Sequence, residues 1–160
     1  MGIREDWNDK ILVFDGGMGS LLQGAGLKPG ELPETWNIKH PEVLVKIHED
    51  YLNAGANIIL SNTFGANRLK YNEAAKFNLD EIVDAAMKNA RTAVEHCGRG
   101  YVALDLGPTG RLLKPMGDLD FEEAVSIYTE VVKAGVRGGA DLILIETMSD
   151  TYELKAAVLA

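Results

Sequence analysis

The amino-acid sequence predicts an α/β fold, in which parallel strands alternate with helices, from two features of its hydrophobic pattern. Continuous apolar runs bounded by Gly, Pro, Asn or Asp indicate strands buried on both faces, and they lie at residues 11–15, 57–64, 101–108 and 141–148. A helical pattern follows each run, so strand and helix alternate four times along the chain.

The predicted helices carry start and stop signals. They cover residues 40–55, 78–98, 120–139 and 150–160. Pro41 stands at a favoured first helical position, and Gly55 and Gly98 stand where a helix would end. An Asn or Asp three residues before a Glu, the spacing of a capping box, opens the last three helices; the pairs are Asn78–Glu81, Asp120–Glu123 and Asp150–Glu153.

An internal repeat indicates a barrel. AGANIILSNTF (54–64) and GGADLILIETM (138–148) align without gaps, and each has a helix-ending glycine, an apolar strand and a polar strand end. Repeating units predict a (β/α)8 barrel of the TIM family, with a doubly wound open sheet as the competing architecture. A whole barrel takes ~250 residues. We therefore expect residues 11–160 to be an N-terminal half barrel of four units, truncated in its fourth helix and preceded by a segment at 1–10.

Composition and charge narrow the class of protein. A net charge of −8 argues against nucleic acid as a partner, because such binding relies on clustered Lys and Arg. No apolar run approaches the ~20 residues that span a membrane, and the polar N-terminus lacks the apolar stretch of a secretory signal. We therefore expect a cytoplasmic protein with no membrane partner. The single cysteine, Cys97, excludes a cysteine-rich zinc site made by this chain alone.

Polar side chains collect at the predicted strand ends, where ligands bind in both candidate folds. They are Asp15, Asn62, Thr63, Asp105, Glu146 and Thr147. Converging carboxylates and hydroxyls suit an ammonium group better than a phosphate. Capping of a following loop is the competing interpretation, and it is favoured for Asp105, which precedes the turn LGPTG.

Three other features bear on the site. The glycines of DGGMGSLL do not have the G-x-G-x-x-G order of a dinucleotide fingerprint and are interpreted as a tight turn that needs positive φ. Trp36, in a predicted loop before the first long helix, is either a hydrophobic plug or a pocket wall. His48 lies on the apolar side of its helix and is interpreted as a packing residue.

Several of these segments together resemble the homocysteine-binding domain of the homocysteine S-methyltransferases, most closely in the cobalamin-dependent branch of that family. The segments are ILVFDGGMGS, ELPETWNIKHPEVL, AGANIILSNTFGANR, LGPTG and LILIETMSDTYELKAAVLA. The resemblance implies a (β/α)8 barrel in which zinc binds the homocysteine thiolate. It also implies that methylcobalamin supplies the methyl group and is reloaded from methyltetrahydrofolate, with cobalamin and folate on separate modules.

The resemblance also implies roles for individual residues. Asp15 and Glu146 match acids near the substrate's amino group, and Asn62 and Thr63 match the strand end that lines the amino-acid site. Trp36 resembles a pocket-wall aromatic of the betaine-using branch. The family's three zinc-ligating cysteines have no counterpart here, since Cys97 matches none of them. We therefore expect this chain to hold no metal ligand and no catalytic residue, to bind no zinc, and to be inactive alone.

Two alternatives stay open. A relative that uses betaine or S-methylmethionine as methyl donor needs no cobalamin. A non-catalytic half barrel that binds an amino acid or a partner is the other alternative. In every case the exposed edges of a half barrel invite pairing with another chain, so we expect self-association.

Overall fold

The computed structural model describes residues 2–72 and 75–160. Its helices are α1 (Ile3–Asp9), α2 (Met18–Gly24), α3 (Trp36–Lys39), α4 (Pro41–Ala54), α5 (Leu79–Cys97), α6 (Phe121–Arg137) and α7 (Thr151–Leu159). A 3₁₀ helix, Pro33–Thr35, directly precedes α3. The strands are β1 (Ile58–Leu60), β2 (Tyr101–Leu106) and β3 (Leu142–Ile145). The α/β class predicted from the sequence is therefore correct.

The described strands form one parallel sheet in chain order. β1 pairs with β2, aligning Ile58 with Tyr101, and β2 pairs with β3, aligning Ala103 with Leu142. A doubly wound sheet reverses its strand order at a switch point, and no reversal occurs among these strands. Neighbouring helices pack in the same sequence, α4 on α5, α5 on α6 and α6 on α7, as in a barrel wall.

The predicted first strand, 11–15, is not a regular strand. Phe14 forms only an isolated parallel bridge with Ile58. Backbone bonds continue on either side, from Ile58 N to Val13 O at 3.1 Å and from Asp15 N to Ile58 O at 2.9 Å. The ladder stops because Val13 N donates to the side-chain oxygen of Asn57 at 3.0 Å instead of to a carbonyl. Four regular units are thus not formed, although this segment lies beside β1.

The two copies of the internal repeat share a pair of hydrogen bonds at the start of the strand. Asn57 N donates to Val13 O at 2.8 Å, and its side-chain oxygen accepts from Val13 N. Asp141 does the same one repeat later: its N donates to Val102 O at 2.9 Å and its Oδ2 accepts from Val102 N at 2.8 Å. Each side chain therefore fastens the start of its strand to the preceding one.

The sequence signals for helix ends are realised at α4 and α5. Pro41 is the first residue of α4, and Gly55 ends it in the left-handed conformation, with φ 116°. At α5 the capping box forms, since Asn78 Oδ1 accepts from Glu81 N and Glu81 Oε2 accepts from Asn78 N, both at 2.9 Å. Gly98 ends α5, again left-handed. These boundaries follow from local chemistry.

The other two predicted capping boxes do not form. Asp120 precedes α6, but its carboxylate forms an ion pair with Lys114 at 2.9 Å and accepts no bond from the helix. Asp150 does cap α7, whereas Glu153 turns into the interior. In each case one acid that the local pattern assigned to the helix start binds a group outside the helix, Lys114 for Asp120 and Thr109 for Glu153.

Among the described residues, two apolar clusters hold the helices in place. The larger lies between the sheet and α5 and α6, with Met87, Leu104 and Val131 among its members. The smaller joins α2 and α3 to α4 and consists of Leu22, Leu27, Trp36, Leu44 and Ile47. Within the part of the chain that is described, no helix has both the length and the apolar character to cross a membrane.

Apolar side chains are exposed at both edges of the sheet. Ile11, beside the outer edge of β1, is 89% exposed, and Val13 is also exposed. On the other edge, Ile143 of β3 and Val158 and Leu159 of α7 are exposed. Unpaired sheet edges and exposed apolar side chains are both features of surfaces that associate with another chain.

Candidate functional site

A cavity of about 480 Å³ opens beyond the carboxyl ends of the strands, where ligands bind in parallel α/β folds. Its described lining comes from the segment before α2 and the start of that helix, from the 3₁₀ helix and from the ends of all three strands. The residues are Asp15, Gly16, Gly17, Met18, Gly19, Pro33, Glu34, Leu60, Ser61, Asn62, Phe64, Asp105, Glu146 and Thr147. Three of the predicted site residues, Asp15, Asn62 and Glu146, are therefore brought together.

Asp15 lies on the segment beside β1 and is fixed by one of its carboxyl oxygens. Oδ2 accepts from Leu60 N at 3.0 Å, whereas Oδ1 is buried with no hydrogen-bond partner in the described residues. Burial raises the pKa of Asp15 to about 6, and the nearby Glu146 contributes to the rise, while the bond from Leu60 opposes it. One oxygen thus anchors the side chain and the other stays available.

Asp105, near the end of β2, is the most deeply buried acid of this lining that has a free oxygen. Its side chain is only 5% exposed, and Oδ1 lacks a partner among residues 2–72 and 75–160. Burial raises its pKa to about 8, with further contributions from Glu146, Asp15 and Glu34. The sequence-based preference for loop capping is wrong, because no loop N–H of the described chain binds this carboxylate.

Glu146 follows β3, and its N–H is held by Leu106 O at 3.0 Å. The next residue, Thr147, has φ 56°, in the left-handed region that a β-branched residue rarely adopts. Such a conformation costs roughly 1–3 kcal/mol and tends to occur at binding sites. The strained turn leaves β3 at once and keeps both residues at the cavity wall.

Asn62 and Glu34 hold neighbouring elements of the cavity wall together through hydrogen bonds. Asn62 Nδ2 donates to Asn37 Oδ1 at 3.0 Å, and Asn37 Nδ2 donates back to Asn62 O at 2.9 Å. Glu34 is buried, accepting from Gly65 N at 2.7 Å and from the Tyr71 hydroxyl at 3.0 Å. The 3₁₀ helix is thereby tied to the end of β1, and Glu34 contributes another carboxylate to the wall.

Thr63 and Trp36 lie outside the cavity lining. Thr63 is fully buried, where its hydroxyl donates to Asp105 O at 2.8 Å and lies 2.8 Å from Ser61 Oγ. It supports the strand that carries Asp105. Trp36 is in a helix rather than the predicted loop, and it packs with Leu22 and Leu44 in the smaller apolar cluster. Of its two sequence-based interpretations, the structure therefore favours the hydrophobic plug.

The glycines after Asp15 do not adopt the positive φ predicted for them; Gly17, for example, has φ −61°. Space is the stronger requirement at Gly16, where an added Cβ would lie 3.1 Å from the Tyr51 hydroxyl. That hydroxyl donates to Gly17 O at 3.1 Å and holds the segment against α4. The glycines thus form a wall of backbone at the cavity.

Zinc, which the resemblance implies, finds no fitting set of ligands in the described chain. No group of three or more His, Cys, Asp and Glu residues is arranged there to hold a metal ion. Cys97 lies at the end of α5, where its Sγ is 4.0 Å from Asn53 Oδ1, and it does not line the cavity. The residues present do not fit a zinc centre, and we assign no chemical step to one.

The charge of the cavity indicates what it can bind. Its described lining has four carboxyl groups, from Asp15, Glu34, Asp105 and Glu146, and no Lys, Arg or His. Such a wall repels phosphates and carboxylates near the acids and attracts a cation. Ammonium donates up to three hydrogen bonds, which suits oxygens that still lack partners.

Sequence reasoning missed Glu34 and set Asp105 aside. Asp105 had a usable signal, because it lies near the carboxyl end of a predicted strand, as Asp15 and Glu146 do. Glu34 has no such signal. It reaches the cavity only because Gly65 and Tyr71, more than thirty residues later in the chain, bind its carboxylate.

Most of the chain is similar in sequence to known proteins. Residues 12–160 match the family model of homocysteine S-methyltransferase. Methionine synthase of Mycobacterium tuberculosis is 34% identical over 166 aligned residues, which cover 95% of this chain and 14% of that protein.

Solved structures of the homocysteine methyltransferase MmuM from Escherichia coli have the same fold. The metallated form superimposes with a TM-score of 0.84 at 22% identity, covering 98% of this chain and 61% of that one. The oxidized form gives 0.78 at 25% identity, covering 93% and 57%. The chain thus spans less than two thirds of each of these relatives, and its parallel sheet is similar to their TIM-barrel fold.

Proposed function

The chain belongs to the homocysteine S-methyltransferase family, and on that premise we propose that its acidic cavity binds the amino group of L-homocysteine. The observation that carries the proposal is the convergence of Asp15, Asp105 and Glu146 in a cavity whose described lining has no basic side chain. A volume of about 480 Å³ accommodates a small amino acid.

For the whole protein, we propose the reaction of a methionine synthase, 5-methyltetrahydrofolate–homocysteine methyltransferase. Residues 11–160 are then the N-terminal half of the homocysteine-binding barrel, and residues 1–10 are a leading segment. The identity of 34% over 95% of this chain supports the proposal. We propose that zinc binds another part of that protein, because the described residues here do not fit a zinc centre, and that methylcobalamin binds a separate module. The chain alone is therefore proposed to be inactive.

Asp15→Asn and Glu146→Gln are each expected to weaken L-homocysteine binding by at least about tenfold, because each removes a charged partner of the ammonium group. Isothermal titration calorimetry of the 160-residue chain measures this at pH 7.5. Asp9→Asn, an exposed acid of α1, is the matched control and should leave the dissociation constant unchanged.

The same site can also be tested by changing the ligand and leaving the protein unchanged. 4-Mercaptobutanoate is homocysteine without its amino group, so we expect it to bind far more weakly than L-homocysteine. Equal binding of the two ligands would contradict the proposed ammonium site, whatever the variants do.

We further propose that this chain pairs with a second copy through its exposed sheet edge and α7. Val158 of α7 is 67% exposed, and Ile143 of β3, the last described strand of the sheet, is 40% exposed. Val158→Asp should therefore shift the chain toward monomer in sedimentation velocity at micromolar concentration. Val136→Asp, an equally apolar and exposed position on α6, serves as the control and should not. A wild type that is already a dispersed monomer would refute self-association.

A further inference from the structure

The backbone around Asp105 is held in a way that leaves its carboxyl group free for a ligand. Its N–H donates to Ser61 Oγ at 3.3 Å, and its carbonyl accepts from the Thr63 hydroxyl at 2.8 Å. β2 pairs on both sides, with β1 and β3. The side chain therefore lines the cavity from a rigid strand, yet Oδ1 has no partner among the described residues although Asp105 is 5% exposed.

Among the described residues, the charged groups that face Asp105 come from three other elements and are all acidic. Asp15 approaches from the segment beside β1, Glu34 from the 3₁₀ helix and Glu146 from the end of β3. Ser61 and Thr63 are the neutral neighbours, and their hydroxyls already bind each other or the backbone. An ionised Asp105 is thus opposed both by burial and by three like charges.

We propose that Asp105 is a third carboxyl of the ammonium site and that it releases its proton to solvent when an amino acid's ammonium group enters the cavity. The inference rests on the proposed function, in that an α-ammonium group occupies this cavity. The ligand arrives as R–NH₃⁺ and keeps its protons. The Asp105 O–H bond breaks, the proton passes to buffer, and the carboxylate accepts a hydrogen bond from the ammonium.

Electrostatics predicts that binding of the ammonium group causes Asp105 to release its proton. With a pKa of about 8, Asp105 is mostly protonated at pH 7.5 in the ligand-free protein. An opposite charge in contact lowers the pKa of a carboxyl by about 1–3, which brings Asp105 into the ionised form. Asp15, with a pKa of about 6, is already ionised at pH 7.5 and contributes little to proton release there.

The test uses L-methionine, which carries the same ammonium and carboxylate groups as homocysteine but no titratable thiol. Calorimetric titration at pH 7.5 in phosphate and in Tris gives the number of protons released. We expect about 0.5–0.75 proton per ligand, and an association constant that rises several-fold between pH 7 and 8. Asp105→Asn should release almost none and show a flat pH dependence, while Asp9→Asn should behave as wild type.

Asparagine resembles the protonated acid in shape and charge, so the variant should fold at least as stably as wild type at pH 7.5. Carbon-13 carboxyl shifts of the ligand-free chain provide a second measurement, with an Asp105 midpoint near 8. Binding of L-methionine without proton release, or with equal release in Asp105→Asn, overturns this inference and leaves the proposed function intact. If neither L-methionine nor L-homocysteine binds, the proposed function fails and this inference fails with it.

Discussion

Glu153→Ala is expected to lower the free energy of unfolding by about 3 kcal/mol, because it removes a buried carboxylate that several donors share. Glu153 Oε1 accepts from Thr109 N and from the Thr109 hydroxyl, both at 2.7 Å, and from the Tyr128 hydroxyl at 3.0 Å. The side chain is only 3% exposed. It therefore connects α7 to α6 and to the loop after β2, and alanine removes an acceptor that three buried donors share.

Urea unfolding followed by circular dichroism measures the change. Glu153→Gln retains an oxygen acceptor but loses the charge, so we expect a smaller loss of about 1 kcal/mol. Glu95→Ala removes an exposed glutamate from α5 and should change stability by less than about 0.5 kcal/mol. If Glu153→Ala were no more harmful than Glu95→Ala, this buried network would not contribute to stability.

Acidification is expected to destabilise the protein through His48 by about 2–3 kcal/mol between pH 7 and pH 4.5. His48, in α4, is fully buried, and neither ring nitrogen has a hydrogen-bond partner in the described residues. Burial lowers its pKa from 6.5 to about 4. The unfolded chain therefore takes up the proton first, so the stability contribution is complete above pH 6.5 and is lost as the pH falls toward 4.

His48→Leu should remove this loss, and the measured quantity is the difference in unfolding free energy between wild type and variant at each pH. Asp15 and Asp105 act in the opposite direction, because their raised pKa values make the folded state lose stability as the pH rises from about 4. Both proteins contain these acids, so their effect cancels in the difference. Parallel pH curves for wild type and His48→Leu would exclude His48 as the cause.

Much of the fold could be predicted from the sequence, because the signals involved are local. The helix boundaries at Pro41, Gly55 and Gly98 follow from backbone constraints on Pro and Gly, and the Asn78 cap from a side chain three residues from its partner. The apolar runs placed β1, β2 and β3 close to their observed positions. The segment 11–15 became a bridge because a side chain of another segment, Asn57, took the place of a carbonyl.

The candidate site could be predicted in part. Asp15 and Glu146 follow apolar runs, and parallel strands bring their carboxyl ends to one edge of the sheet, so the sequence placed them together. Glu34 could not be placed in this way, since its position depends on Gly65 and Tyr71. Trp36 carried no periodic signal, and only the packing of α2 and α3 on α4 placed it in the core.

The sequence by itself determined the alternation of strands and helices, the caps made by near neighbours, and the acids at the strand ends. The tertiary structure alone decided which polar side chains remain free. Asp150 and Glu153 have the same spacing as Asn78 and Glu81. The Glu153 carboxylate nevertheless accepts from Thr109, 44 residues away, instead of capping its own helix. A buried carboxylate gains more from three donors in the interior than from one at an exposed helix end, and that gain exists only once the chain has folded.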